Sequence, residues 1–367
     1  MVFYSLICTF APQFAMNIQE LEKKYAKSAH VSALAQAIGK STVKTIFLEG
    51  LLGSSAPMLF GALASKCKQP LLFVLQDAEE AGYFYHDLVQ LLGDQQVLFF
   101  PSSYRSAVKY GQRDAANEIL RTEVLARLSP QTSQLFVVSY PEAIAELVIS
   151  QKQLDERLVT LEVGQTVEVD TLTQSLRELG FRDVDYVYEP GQFALRGSIL
   201  DVYSYSSELP FRIDFFGDDI DSIRTFEVET QLSKDKRDRI EVVPELGAAD
   251  TEKVPFFSFL PEKTMLVVKD MLYVRDAIDR IYQEGFSQQA LQERLEGATE
   301  QEQQAIMQEM NKECQLISGQ LFSRELADFR RVEIGHHPAG VPDATISFSI
   351  SPQPQFHKNF DLLQQSL

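Results

Sequence analysis

Val43-Lys44-Thr45-Ile46-Phe47-Leu48-Glu49-Gly50-Leu51-Leu52-Gly53-Ser54-Ser55 joins an apolar, strand-forming run to a turn with two glycines, and the apolar residues 57–64 beyond it read as the start of a buried helix. Strand, tight turn and helix make the first half of a βαβ unit. The alternation continues with strand patterns at 70–75, 96–100 and 134–138, separated by helical patterns at 77–92 and 115–128. Helices between parallel strands cover both faces of a sheet, so residues 16–149 are expected to form a doubly wound α/β domain.

Near Ser150 the pattern changes. Strand patterns follow one another directly at 184–188, 191–196, 198–205, 211–216 and 220–227, with one helix at 170–179. Adjacent hairpin strands point to a small α+β domain at 150–245. Gly217-Asp218 reads as a two-residue turn with glycine first, which suits the twist of the strands it joins. Beyond it a strand pattern returns at 264–268, followed by a Gln- and Glu-rich helical stretch from Arg275 to about Leu316. Its Ile278, Ile281, Leu291, Leu295, Ile306 and Met310 form partial stripes, broken at Gly285 and Gly297. Packing helices are the plainer reading of that stretch, and an exposed partner-binding pair is the other. Residues 345–350 alternate strictly, as a strand does.

A chain of 367 residues is enough for two or three compact units, and a hydrophobic fraction of 45% supplies a sizeable core. With 34 Lys+Arg against 52 Asp+Glu the formal charge is -18, which repels a polyanion and argues against autonomous DNA binding. Cys8, Cys67 and Cys314 stand too far apart for a disulfide framework or a zinc site, in keeping with a reducing cytoplasm. Residues 1–15 are apolar but have no Lys or Arg before Lys23, so they read as an extra tail ahead of Met16 rather than a signal peptide. No stretch reaches the ~18 apolar residues of a membrane span, and no membrane partner is expected.

The turn at Gly50, Gly53, Ser54 and Ser55 lies where a phosphate-binding loop would lie. Such a loop needs a lysine to reach the β/γ-phosphates, and the next one here is Lys66, well into the helix. The turn therefore reads as a tight strand-to-helix connection. Asp77-Ala78-Glu79-Glu80 reads as helix-start charge rather than a magnesium motif. Asp218, Asp219 and Asp221 read as a solvated turn, lacking the spacing of a calcium loop. His30, His86, His336, His337 and His357 make no ligand set.

Within Phe211-Arg212-Ile213-Asp214-Phe215-Phe216, alternation puts Phe211, Ile213 and Phe215 on one face and Arg212, Asp214 and Phe216 on the other. The first face supplies a core. The second mixes a planar cation, an acid and a large aromatic, to which Arg196 on a preceding strand could add. Two readings stand level for it: a binding hot spot, or a surface ion pair beside an exposed phenylalanine.

Glu189-Pro190-Gly191-Gln192-Phe193-Ala194-Leu195-Arg196-Gly197-Ser198-Ile199-Leu200-Asp201-Val202-Tyr203, followed by the run from Ser207 through Phe211-Arg212-Ile213-Asp214-Phe215-Phe216-Gly217-Asp218-Asp219-Ile220 to Phe226, closely resembles the amino-terminal module of the bacterial transcription-repair coupling factors. It resembles the excision-repair protein UvrB more loosely. Phe99-Phe100-Pro101-Ser102-Ser103-Tyr104 and Gln355-Phe356-His357-Lys358-Asn359-Phe360-Asp361-Leu362-Leu363 match that family as well. The resemblance implies a RecA-like parallel-sheet domain in two sequence pieces, 16–149 and 246–367, with a degenerate phosphate loop and an inserted α+β domain at 150–245.

In that family the insert binds the damage-recognition ATPase UvrA, which implies Arg196, Arg212, Asp214 and Phe216 as contact residues. The family's ATP- and magnesium-dependent motor, and the domains that hold RNA polymerase and double-stranded DNA, lie downstream, and no motor motif occurs in this chain. The chain is therefore expected to be a monomeric amino-terminal fragment from the bacterial cytoplasm, without cofactor or enzymatic activity of its own. The family's autoinhibitory carboxy-terminal domain would be missing, leaving the insert's face open.

UvrB itself carries a lysine-bearing phosphate loop and an aromatic-rich DNA-clamping hairpin. This chain has neither, and the stretch from Tyr104 to Tyr110 is too short to replace the hairpin. Gln192 stands where the family's motif is usually acidic. Three classes of function follow: a UvrA-recruiting module, a UvrB-type nucleotide-dependent helicase domain, or a structural, autoinhibitory module that contacts other parts of its own longer chain.

Overall fold

Two helices, α1 (Ile18–Tyr25) and α2 (Ala29–Gly39), open the computed structural model, which describes residues 18–103, 114–129, 132, 134–246, 252–285, 299, 302 and 316–350. Residues 1–15, the stretch from Tyr104 to Tyr110 and the Gln355–Leu363 match lie outside these residues. Ser28 caps α2 by accepting the Val31 N–H, and Val31, Leu34 and Ile38 form its buried stripe.

Strands and helices then alternate as the sequence predicts: β1 (Thr45–Glu49), α3 (Ser55–Ala64), β2 (Leu71–Val74), α4 (Ala78–Leu92), β3 (Val97–Phe99), α5 (Ala115–Arg127) and β4 (Phe136–Ser139). Asp77 caps α4, its carboxylate accepting the Glu80 N–H at 2.8 Å. The chain leaves this region through α6 (Pro141–Ala145), β5 (Val148–Ile149) and α7 (Gln151–Arg157).

The inserted unit comprises β6 (Val159–Glu162), α8 (Val169–Glu178), β7 (Arg182–Asp183), β8 (Gln192–Arg196), β9 (Ile199–Val202), β10 (Phe211–Phe216), β11 (Asp219–Phe226), β12 (Ser233–Arg237) and β13 (Arg239–Val242). The chain returns through β14 (Lys253–Val254), a 3-10 turn (Phe256–Phe259), β15 (Met265–Lys269), α9 (Met271–Gly285), α10 (Gly319–Leu326), β16 (Arg330–Gly335) and β17 (Ala344–Ser347).

Seven strands form a parallel sheet in the order β17-β1-β16-β15-β2-β4-β3. Every residue of β2 and β4 is buried, as parallel strands covered on both faces must be. β15 and β16 sit between β1 and β2, so strands from behind the insert occupy the middle of a sheet begun ahead of it. Neither sequence piece can close the sheet alone.

The insert is a second sheet, β12-β11-β10-β9-β8-β7, antiparallel except between β7 and β8. One face packs against Leu172 and Leu176 of α8 through Phe193, Leu200, Val202, Phe211, Ile213 and Phe215. The entering strand β6 and the departing strand β13 pair antiparallel, so the insert begins and ends at one place on the core.

Three sequence expectations are revised. Residues 184–188 are not a strand; only Arg182 and Asp183 pair with β8, and the next residues leave the sheet as a strap. Their alternation is used for packing, with Val187 buried against Ala194, Tyr203 and Phe226 while Tyr186 and Tyr188 are exposed. Pro190, which has no N–H to give a ladder, follows them closely.

The central strand β16 is a second revision, since no strand pattern marks it. Its Arg330-Arg331-Val332-Glu333-Ile334 reads as polar, yet Val332, Glu333 and Ile334 are buried. Arg330 donates to the carbonyls of Val43, Ile38 and Lys40, and Glu333 accepts from Arg331 and from the Ala339 N–H, so each charge is satisfied internally. Third, β17 ends at Ser347, short of residue 350. In the Gln- and Glu-rich stretch, Ile278 and Ile281 of α9 are core residues. Leu291, Leu295, Ile306 and Met310 lie outside the described residues.

The Phe99-Phe100-Pro101-Ser102-Ser103 run is held by a buried ion pair. Arg121 stacks over Phe100 at 4.2 Å, donates to the Pro101 carbonyl at 2.7 Å and faces Glu146 at 3.3 Å. Glu146 accepts the Ser103 N–H and the hydroxyls of Ser102 and Ser103. Both charges are thus desolvated and fully bonded, the condition under which a buried pair is tolerated.

Candidate functional site

The meander β8–β9–β10–β11 sends β8 and β10 in the same direction, so their turns, at Gly197 and Gly217, lie at one end of the sheet. Both glycines have positive φ, +62° and +64°, as glycine-first hairpin turns require. The Phe215 N–H donates to the Ser198 carbonyl at 2.8 Å and the Val167 N–H to the Asp218 carbonyl at 2.7 Å, bracing the two turns. Arg196 and Phe216, each the last residue before its turn, therefore stand on a rigid rim.

Phe211, Ile213 and Phe215 are buried, while Arg212 and Asp214 are half-buried and Phe216 is 81% exposed, as strand alternation predicts. The register shift between Asp214 and Phe215 leaves this alternation intact. Other large apolar side chains are exposed too, Tyr83, Leu232 and Val341 among them; what sets Phe216 apart is its place at the mouth of a braced hairpin on the face that carries Arg196 and Arg212.

The arginines are organised by a residue that pattern reading left unmarked. Asp201 on β9, with no exposed side-chain area, accepts Arg212 Nε on Oδ1 at 2.7 Å and Arg212 NH2 on Oδ2 at 2.8 Å. Arg196 also donates to Asp201 Oδ2. The Asp201 hydrogen bonds raise the affinity of the Arg212 guanidinium for its proton, against the opposing effect of burial. Arg212 further stacks on Phe226 at 4.4 Å and donates to the Gln231 carbonyl at 3.0 Å. Most of its fork is thus engaged inside the domain, as in the ion-pair reading of this face, and its side chain keeps 15% exposure.

Arg196 fastens the strap, donating to the Asp185 carbonyl at 2.9 Å and lying 4.9 Å from the Tyr186 ring. Asp214 accepts from Arg224 on β11 and from the Ser222 hydroxyl at 2.9 Å. The four residues named from sequence thus share one face. Asp201, Arg224 and Tyr186 join them there. The signal for Asp201 is an acidic residue in an otherwise apolar strand, Ile199-Leu200-Asp201-Val202, which fits either a solvated outer face or a buried counter-charge, and the structure has the second.

The glycine turn after β1 lies elsewhere, at the end of the large sheet. Gly50 has φ +75° and its Cα faces the Phe348 carbonyl so closely that a Cβ would lie 2.5 Å from that oxygen. Gly53 has φ +53°. Ser54 precedes α3 without a side-chain capping bond, and the Ser55 hydroxyl is turned back onto Leu52. A cavity of about 370 Å3 beside Gly53 and Ser54 is lined by Pro57, Gln76, Tyr83 and Phe84 as well as by Asp77, Glu79, Glu80 and Asp87, with Glu80 paired to Lys269. Lys66 points away, bonded to the Ala26 carbonyl at 2.8 Å and to the Ser32 hydroxyl. Among the described residues no group of His, Cys, Asp and Glu is arranged to hold a metal ion, and no helix is long and apolar enough to cross a membrane.

Residues 159–246, from β6 to just past β13, match the UvrB interaction domain family. That match takes in the inserted unit from its first strand to its last. Part of the chain is similar to the transcription-repair-coupling factors: it is 30% identical to that of Bacillus subtilis over 202 residues, 55% of this chain and 17% of that one. It is 28% identical to that of Escherichia coli over 195 residues, 53% and 17% of the two chains. With that of Haemophilus influenzae it shares 30% over 154 residues, 42% and 13%. The chain spans less than a fifth of the length of these relatives, and the relationship is to their amino-terminal module.

Proposed function

We propose that this chain acts as the UvrA-recruiting module of a transcription-repair coupling factor, binding UvrA through the outer face of its UvrB interaction domain. The observation that carries this reading is Phe216, presented to solvent on a braced hairpin beside the Arg196–Asp201–Arg212 network. Burying a phenylalanine is worth roughly 1.5–3 kcal/mol, enough to anchor an interface. Recruitment by complementarity involves no covalent step. Double-stranded DNA and RNA polymerase are then engaged by other parts of a coupling factor.

The large sheet with its degenerate phosphate loop is read as a RecA-like core that has lost nucleotide binding. Asp77, Glu79 and Asp87 beside Gly53 and Ser54 oppose a triphosphate, Lys269 there is paired with Glu80, and the first lysine after the turn, Lys66, is committed to Ala26 and Ser32. On this reading the module needs no ATP or magnesium and is not itself an ATPase. Titration of the chain with purified UvrA, and separately with ATP and magnesium, tests both parts: saturable binding is expected with the first alone.

A further inference from the structure

Asp201 is a fully buried charge on the exposed side of the insert, and two guanidinium groups converge on its two oxygens. Arg212 occupies both with Nε and NH2, and Arg196 shares Oδ2. Each guanidinium is then seated on an aromatic ring: Arg212 on Phe226, which is buried, and Arg196 on Tyr186, which is half exposed in the strap. Arg196 and Arg212 remain 33% and 15% exposed, so the network has an outer surface.

A carboxylate alone on a sheet face, without these arginines, would carry the full cost of desolvation. The arginines without it would be long, flexible side chains whose ordering opposes binding. Together they form a preorganised plate that ties β8, β9, β10, the strap and the loop at Gln231 into one surface, next to Phe216.

We infer that Asp201 is the positioning residue of the docking face: it touches no partner and acts by holding Arg212 and Arg196, and through Arg196 the Tyr186 strap, in the geometry UvrA meets. This rests on the recruitment reading proposed above and adds to it a residue that the face cannot present itself without.

The test compares the full chain with Asp201→Asn, which keeps side-chain shape and removes the charge, and with Arg212→Lys, which keeps the charge and removes the fork. UvrA affinity is measured alongside the NMR signals of the arginine Nε–H groups and of the β10 backbone amides. For Asp201→Asn the expected result is at least a tenfold loss of affinity, with the Arg212 Nε–H signal moved and fast-exchanging and the β10 amides in place. Arg212→Lys is expected to lose affinity similarly, because one ammonium cannot span both carboxylate oxygens while stacking on Phe226. Parent-like binding by either folded variant overturns the inference and leaves recruitment standing. An Arg212 Nε–H that exchanges freely in the parent also overturns it. Failure of the parent to bind UvrA overturns the recruitment reading, and the role of Asp201 with it.

Discussion

Arg212 and Asp201 face each other across the β9–β10 ladder as register partners, and both oxygens of the carboxylate are taken by the guanidinium at 2.7 and 2.8 Å. Charge reversal at Arg212 is the obvious test of a binding face chosen from sequence. The structure shows what it would also do. Arg212→Glu sets a second carboxylate against one that is fully buried, and the insert should lose about 3–5 kcal/mol of stability, read as a lower urea midpoint. An unchanged midpoint would mean that Asp201 is not held as described. Loss of UvrA binding in this variant therefore mixes contact with folding.

The Arg121–Glu146 pair makes a second stability prediction. Glu146→Gln keeps the shape of the side chain but leaves the buried Arg121 guanidinium without its counter-charge. Removing one partner of such a pair typically costs about 3–5 kcal/mol. Urea unfolding followed by circular dichroism should show the shift, with UvrA affinity of the folded protein unchanged because the pair lies in the large α/β domain. A variant as stable as the parent would contradict the pairing.

Asp343 fixes the outermost strand of the large sheet. Its carboxylate accepts the N–H groups of Thr45 and Lys44 at 2.9 and 2.8 Å, and these bonds hold its proton affinity below the ordinary value of 3.8. The folded pKa is depressed, so this contribution is complete above 3.8 and is lost as pH falls through the folded value. An NMR titration of the side chain should give a midpoint below 3.8, with the Thr45 amide shifting in step; a midpoint at or above 3.8 would show the bonds absent.

The features legible in the sequence were those carried by periodicity. Apolar runs such as Leu71-Leu72-Phe73-Val74 and the alternation of Phe211, Ile213 and Phe215 state their own burial. β16 was hidden because its arginines and Glu333 are neutralised by groups far away in sequence, and no local pattern reports a distant carbonyl. The strap at 184–188 was misread because alternation records one apolar face without saying whether the backbone is paired in a sheet or laid upon one. At the candidate face, Phe216 and Arg212 were visible as types, but the pairing of Arg212 with Asp201 depends on the register of β9 against β10. That register decides whether the arginine is a free hand or a fixed part of the surface.

Phe216 separates contact from folding, because its side chain is 81% exposed and contributes little buried area to the fold. The most direct measurement is the UvrA affinity of the chain beside Phe216→Ala, with the urea midpoint of each. The expected result is a stability within about 0.5 kcal/mol of the parent and an affinity lower by roughly ten- to a hundredfold, the equivalent of the lost burial. Equal affinity for the two proteins would contradict recruitment of UvrA through this face.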